Sequence, residues 1–193
     1  MVEDGIREGK AEMIDVFVQH LENLHGEVIR TDTSNLEVEL KTLLADVSSP
    51  IAFQSGSLPD GRNIETILGV YGSENVLNVE TWEGERGHFK KQLAACSVAI
   101  TLADYLLCDT GTAVLLEPNQ KSRLLTLLPE WLILIVEEKN ALADLPTLYQ
   151  KVDGNTSQPF FVTGPSRTAD IEKQLVLGVH GPKRLTVVIV SDS

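Results

Sequence analysis

The stretch Trp131-Leu132-Ile133-Leu134-Ile135-Val136 decides the reading of the fold. Its apolar residues follow one another without polar alternation and end at Glu137-Glu138-Lys139. A strand with one face in water alternates, whereas a strand covered on both faces does not. The run is too short to cross a bilayer as a helix. It therefore predicts a central parallel strand with layers packed on both sides, and Leu185 to Val190 predicts a second buried strand.

Working outward, apolar residues at three- and four-residue spacing predict a helix from 6 to 24, with Gly26 as its C-cap. Val28-Ile29 follows as an edge strand, and Asn35 to Leu44 as a second helix. Short strands are expected at 50–53, 75–79, 97–100, 112–116 and 160–162. Helical segments are expected at 64–68, within 81–93, at 101–107, 122–128, 140–151 and 170–177. Strands alternating with helices give an α/β chain with a mostly parallel sheet. The absence of a repeat or a long linker predicts one domain over 1–193.

A net charge of -12 excludes nonspecific binding to nucleic acid or to an anionic membrane, since both need clustered cations. Cys96 and Cys108 form no metal-like or redox-like pair, which predicts buried thiols in a reducing, cytoplasmic setting. Met1-Val2-Glu3-Asp4 does not begin a secretory signal. Neither a metal site nor a nucleotide, nicotinamide or cluster motif is present, so no cofactor is expected.

Three polar segments carry the chemistry. Strand 160–162 runs into Thr163-Gly164-Pro165-Ser166-Arg167-Thr168-Ala169-Asp170. Gly164 permits a sharp exit and Pro165 stiffens it, while Ser166 or Thr168 caps the expected helix. Free backbone amides at such a helix start, with the Arg167 guanidinium, suit a carboxylate or phosphate. The alternative is a purely structural turn in which Arg167 pairs with Asp170 or Glu172. Asp109-Thr110-Gly111-Thr112 offers two hydroxyls, amides and a carboxylate, either to hold an oxygen anion or to cap its own turn. Gly178-Val179-His180-Gly181-Pro182 holds a histidine in a stiff loop, as a proton carrier or as a structural hydrogen-bonder. Cys108 beside Asp109 reads as a core thiol rather than a nucleophile.

In this order, together with Arg123-Leu124-Leu125-Thr126-Leu127-Leu128-Pro129, these segments resemble the LUD-domain family, lactate utilization protein C type. The resemblance is specific over about 97–190. It implies a Rossmann-like fold similar to the sugar-phosphate isomerase and CoA-transferase superfamily. It also implies a component of bacterial L-lactate oxidation to pyruvate that works with iron–sulfur partner subunits and itself carries no cluster. The implied ligand positions are Thr110, Gly111, Thr112, Gly164, Pro165, Ser166, Arg167, Thr168 and Asp170, with Asp109 and His180 as the catalytic candidates. The family has glutamate before Thr-Gly-Thr where this chain has Asp109, and often a histidine where this chain has Leu132. The expected role is to bind a small organic anion or to dock the partners; the alternative is a transferase or isomerase acting on a CoA ester or sugar phosphate.

Overall fold

Central strand β7 (Trp131–Glu137) receives cover on both faces, as its unbroken apolar run requires. To place it, the elements run in chain order from α1 (Val2–Asn23), β1 (Glu27–Asp32) and α2 (Leu36–Leu43) to β2 (Ile51–Phe53) and α3 (Ile64–Leu68). Then come β3 (Val76–Asn78), α4 (Arg86–Ala95), β4 (Val98–Leu102), the pair β5 (Tyr105–Leu107) and β6 (Thr112–Leu115), and α5 (Gln120–Leu125). After β7 come β8 (Ala141–Leu142), α6 (Leu145–Lys151), β9 (Phe160–Val162), β10 (Arg167–Ala169), β11 (Leu175–Leu177) and β12 (Arg184–Ser191). The structure, a computed structural model, describes residues 2–116, 120–152, 159–169, 175–177 and 181–192; for 2–8, 120–122, 167–169 and 175–177 it describes the backbone.

The main sheet is parallel throughout, in the order β1-β12-β7-β4-β2-β3. Leu132, Leu134 and Val136 point into one core with Ile14, Phe17 and Leu21 of α1 and Phe89 and Leu93 of α4. Ile133 and Ile135 point into the other, with Leu36 and Leu40 of α2 and Ile64, Ile67 and Leu68 of α3. β12 divides in the same way, Leu185, Val187 and Ile189 against Val188 and Val190. Each such side chain contributes about 1.5–3 kcal/mol of burial, so the two strands anchor both cores.

Several expectations need correction. α1 does end where its periodicity stops, but the left-handed residue is His25, at φ 64°, and not Gly26. His25 N–H donates to Glu22 O (2.8 Å) and Gly26 N–H to Leu21 O (2.9 Å), a Schellman ending. Gly26 is needed for space, because a Cβ there would lie 2.6 Å from the Leu21 side chain. The helical turn expected at 101–107 is the end of β4 followed by β5. Leu106-Leu107 pairs with Thr112-Ala113 rather than coiling. Within 141–151 the α-helix is confined to α6: Asp144 caps it by accepting Thr147 N–H (2.8 Å), and Ala141-Leu142 is already committed to pairing with β5.

The largest change concerns strand 160–162. β9 does not join the parallel sheet; it pairs antiparallel with β6 in a second sheet, β8-β5-β6-β9. The helix expected from 170 to 177 is also absent where the chain is described. Leu175–Leu177 is a strand paired antiparallel with Arg167–Ala169. An apolar Leu-Val-Leu triplet with a partner of equal length is satisfied by a ladder, and a helix has no claim on it.

At the amino-terminal edge of the main sheet, polar side chains lock three strands together. Trp131 Nε1 donates to Thr186 Oγ1 (2.9 Å), which donates to Glu27 Oε2 (2.8 Å). The Arg184 guanidinium grips Glu27 through Nε and Nη2 and lies 3.8 Å from the centre of the Trp131 ring. Burial opposes the charge on Glu27, but the hydrogen bonds from Arg184 and Thr186 outweigh it and hold the carboxyl below its ordinary range. Its contribution to stability is therefore present at neutral pH and lost as pH falls through the lowered value. Thr186 is fully buried, so Thr186→Val leaves the Trp131 indole N–H without its acceptor. We expect a loss of about 1–3 kcal/mol, read as a lower urea midpoint with an unchanged slope.

Candidate functional site

The described parts of two of the polar segments singled out in the sequence meet at the C-terminal end of α1, and Gly181-Pro182 of the third meets Ser166. The β5–β6 turn places Gly111 at φ 65°, and a Cβ there would lie 2.7 Å from Leu21 N and 2.9 Å from His20 Cβ. Gly164, at φ 118°, meets the next turn of the same helix, where a Cβ would stand 3.2 Å from Leu24 Cβ. Both glycines thus combine a left-handed backbone with close approach to a helix. Between them runs a chain of hydroxyls: Thr110 Oγ1 donates to Thr112 Oγ1 (2.9 Å), which bonds Thr163 Oγ1 (2.8 Å). Thr112 is buried. Ser166 N–H donates to Pro182 O (2.8 Å), and Gly181 packs against the Ser166 side chain.

This convergence differs in kind from the expected site. Arg167 and Thr168 lie in strand β10, so among the described residues no helix start presents amides beside them. The Ser166 amide is engaged by a carbonyl, and the threonine hydroxyls bond one another. Pro182 stands just before β12, at the amino-terminal edge of the parallel sheet, whereas ligands of open α/β sheets favour the carboxyl edge. Asp109 and Thr110 are exposed at the turn, and Asp109 N–H donates to Ala143 O (3.1 Å). Pro165 is half-buried beside Ser166. Asp170 and His180 lie outside the described residues, as does Glu172. The Arg167 and Thr168 side chains are likewise outside the description.

Cys108, which precedes the turn, is buried, and burial with the neighbouring Asp109 charge pushes its thiol up to about 11. Burial does the same for Cys96, also up to about 11. Both are core thiols, poor nucleophiles at neutral pH.

The carboxyl edge holds features that the sequence reading passed over. β2 and β4 are neighbours whose onward connections leave in opposite directions, to β3 and to β7, which makes a topological switch point. There Thr101 Oγ1 donates to Gln54 Oε1 (3.0 Å) and Gln54 Nε2 to Glu80 Oε1 (3.2 Å). Asn78 Nδ2 donates to Ser55 Oγ (2.7 Å), and Ser55 Oγ to Glu65 Oε1 (2.6 Å). The available signal was a polar pair directly after an apolar strand, Gln54-Ser55 behind Phe53. Farther along the same edge, a cavity of about 380 Å³ opens between α1 and the ends of β7 and β12. Lys10, Glu137, Glu138, Lys139, Ser191 and Asp192 line it. Lys139 is paired with Glu137 (2.5 Å), while among the described residues no ion pair engages Lys10.

Fold and site together define an α/β domain with a parallel sheet, a smaller mixed sheet on one face, and polar cavities at the carboxyl edge. The LUD-domain family model matches residues 14–190, and the chain belongs to that family. It is 33% identical over 190 residues to lactate utilization protein C 1 of Bacillus mycoides (strain KBAB4), covering 94% of this chain and 80% of that protein. It is 31% identical over 198 residues to lactate utilization protein C of Halalkalibacterium halodurans, with the same coverage of each chain. The counterpart in Bacillus subtilis (strain 168) is 27% identical over 190 residues, covering 94% of this chain and 79% of that protein. Among solved structures, a DUF162 family protein from Deinococcus radiodurans shares the fold, with a TM-score of 0.62 at 16% identity. That match covers 94% of this chain and 98% of that one.

Two outcomes follow from the geometry. Gly111→Ala adds a methyl against the α1 backbone at a left-handed position, and we expect a destabilisation of about 2–4 kcal/mol in denaturant titration. Cys96 and Cys108 should react with a disulfide reagent at neutral pH only at the rate of unfolding, and rapidly in denaturant.

Proposed function

We propose that this chain serves lactate utilization by holding a small α-hydroxy carboxylate in the cavity between α1 and the carboxyl ends of β7 and β12. Kinship with proteins named lactate utilization protein C across 94% of the chain carries the reading. The lining of the cavity supports it chemically. An α-hydroxy acid brings a carboxylate that needs a cation and a hydroxyl that needs an acceptor. Lys10 offers the cation, and Glu138 or Asp192 offers the acceptor. Oxidation of such a ligand to the keto acid requires an electron acceptor, a task this reading gives to iron–sulfur partner subunits.

In the same reading the threonine–glycine assembly on α1 fixes the helix that carries Lys10. The hydroxyls of Thr110, Thr112 and Thr163 then act through positioning and do not touch the ligand.

Isothermal calorimetry tests this with L-lactate, pyruvate, propionate and a sugar phosphate. L-lactate is expected to bind, and propionate about tenfold more weakly or worse, because a hydrogen bond to a charged acceptor contributes about 1.5–3 kcal/mol. Lys10→Ala should abolish the binding. Wild-type affinity in that variant would place the ligand elsewhere, and tighter binding of the sugar phosphate would favour the transferase or isomerase reading.

A further inference from the structure

Away from both regions, α4 stands out as a helix that the fold scarcely covers. Of its ten residues, Phe89 and Leu93 are buried and the other eight are exposed, among them Lys90, Lys91, Ala94 and Ala95. No acidic residue lies within it, and none lies within α5, which touches it and contributes Arg123. Glu83 and Glu85 precede the helix and more than offset Arg86, which leaves a net local charge of +2 when Lys90, Lys91 and Arg123 are added. None of these three makes an ion pair among the described residues, although the chain holds 28 carboxylate side chains. Arg123 Nε is buried and has no hydrogen-bond acceptor among the described residues.

We propose that the exposed face of α4, with Arg123 of α5, is a docking surface for an acidic segment of a partner protein. Several cations elsewhere on this chain are paired: Arg30 with Asp15, Arg62 with Asp60, Lys183 with Glu130 and Arg184 with Glu27. Lys90 and Lys91 on α4, and Arg123 on the helix that touches it, make no ion pair among the described residues, which creates a local positive field on a negative body. The remaining chain, without those three charges, carries -15 against -12 for the whole. An extended polyanion such as nucleic acid would overrun the patch and meet that repulsion, whereas a compact acidic segment is confined to it. Ala94 and Ala95 allow its backbone to lie close to the helix, and the Arg123 guanidinium offers donors to a carboxylate. The neighbouring face is held rigid by Trp82, which donates through Nε1 to Gln92 (2.6 Å) and packs 4.9 Å from the Phe89 ring.

The test is fluorescence anisotropy of the full chain with a labelled poly-glutamate peptide, a labelled single-stranded DNA of equal charge, and sedimentation of the chain alone. The peptide should bind at low salt and weaken as salt rises. Lys90→Glu with Lys91→Glu should reduce its affinity about tenfold or more, an effect on the scale expected for charges reversed at an interface. Arg30→Glu, a reversal elsewhere on the surface, should leave it within about twofold of wild type. Exposed positions are chosen so that folding is retained, which circular dichroism checks. Absence of peptide binding, equal binding by the double variant, or tighter binding of DNA would overturn the proposal. Concentration-dependent self-association abolished by the double variant would also overturn it, by making a second copy the occupant.

Discussion

Everything in this structure depends on burying β7 from both sides. A strand whose successive side chains are all apolar has no face to give to water, so the chain must supply two separate layers. One is α1 with α4 and the smaller mixed sheet; the other is α2 with α3. β12 repeats the demand beside it, and parallel pairing puts the carboxyl ends of both strands at one edge. The cavity with Lys10, Ser191 and Asp192 exists because these two strands end together beneath the start of α1.

α1 joins the two halves of this arrangement. Its apolar stripe, Ile14, Phe17 and Leu21, packs on the sheet, and its last turns receive Gly111 and Gly164 from the smaller sheet. Two left-handed glycines against one helix leave little freedom for sliding, and the Thr110–Thr112–Thr163 chain ties the same turns to each other. The motifs that resemble the LUD-domain family thus serve first to seat a helix. In the proposed reading, their influence on a ligand near Lys10 runs through the placement of that helix.

Polarity is distributed unevenly around this frame. At the amino-terminal edge the donors and acceptors of Trp131, Thr186, Glu27 and Arg184 satisfy one another beside a cavity of about 340 Å³. The carboxyl edge keeps hydroxyls, amides and carboxylates beside open volume, with Lys10 unpaired among the described residues. On the flank, α4 presents Lys90 and Lys91, which make no ion pair among the described residues.

The sequence by itself determined the α/β class, the double burial of β7 and β12, the helical stripe of α1 and the brief helix α3, because each is written in local periodicity. Through the Thr-Gly-Thr, Thr-Gly-Pro-Ser and Gly-Pro segments it also identified the LUD-domain family. Only the tertiary structure decided that β9 leaves the parallel sheet, since a three-residue apolar strand fits either sheet and its partner is chosen by the β5–β6 hairpin. That choice moved Thr163 to Ser166 from an expected helix start to the end of α1. Local pattern fixes which residues are buried; which strand lies beside which is settled by packing among distant segments, and the position of the site follows from that.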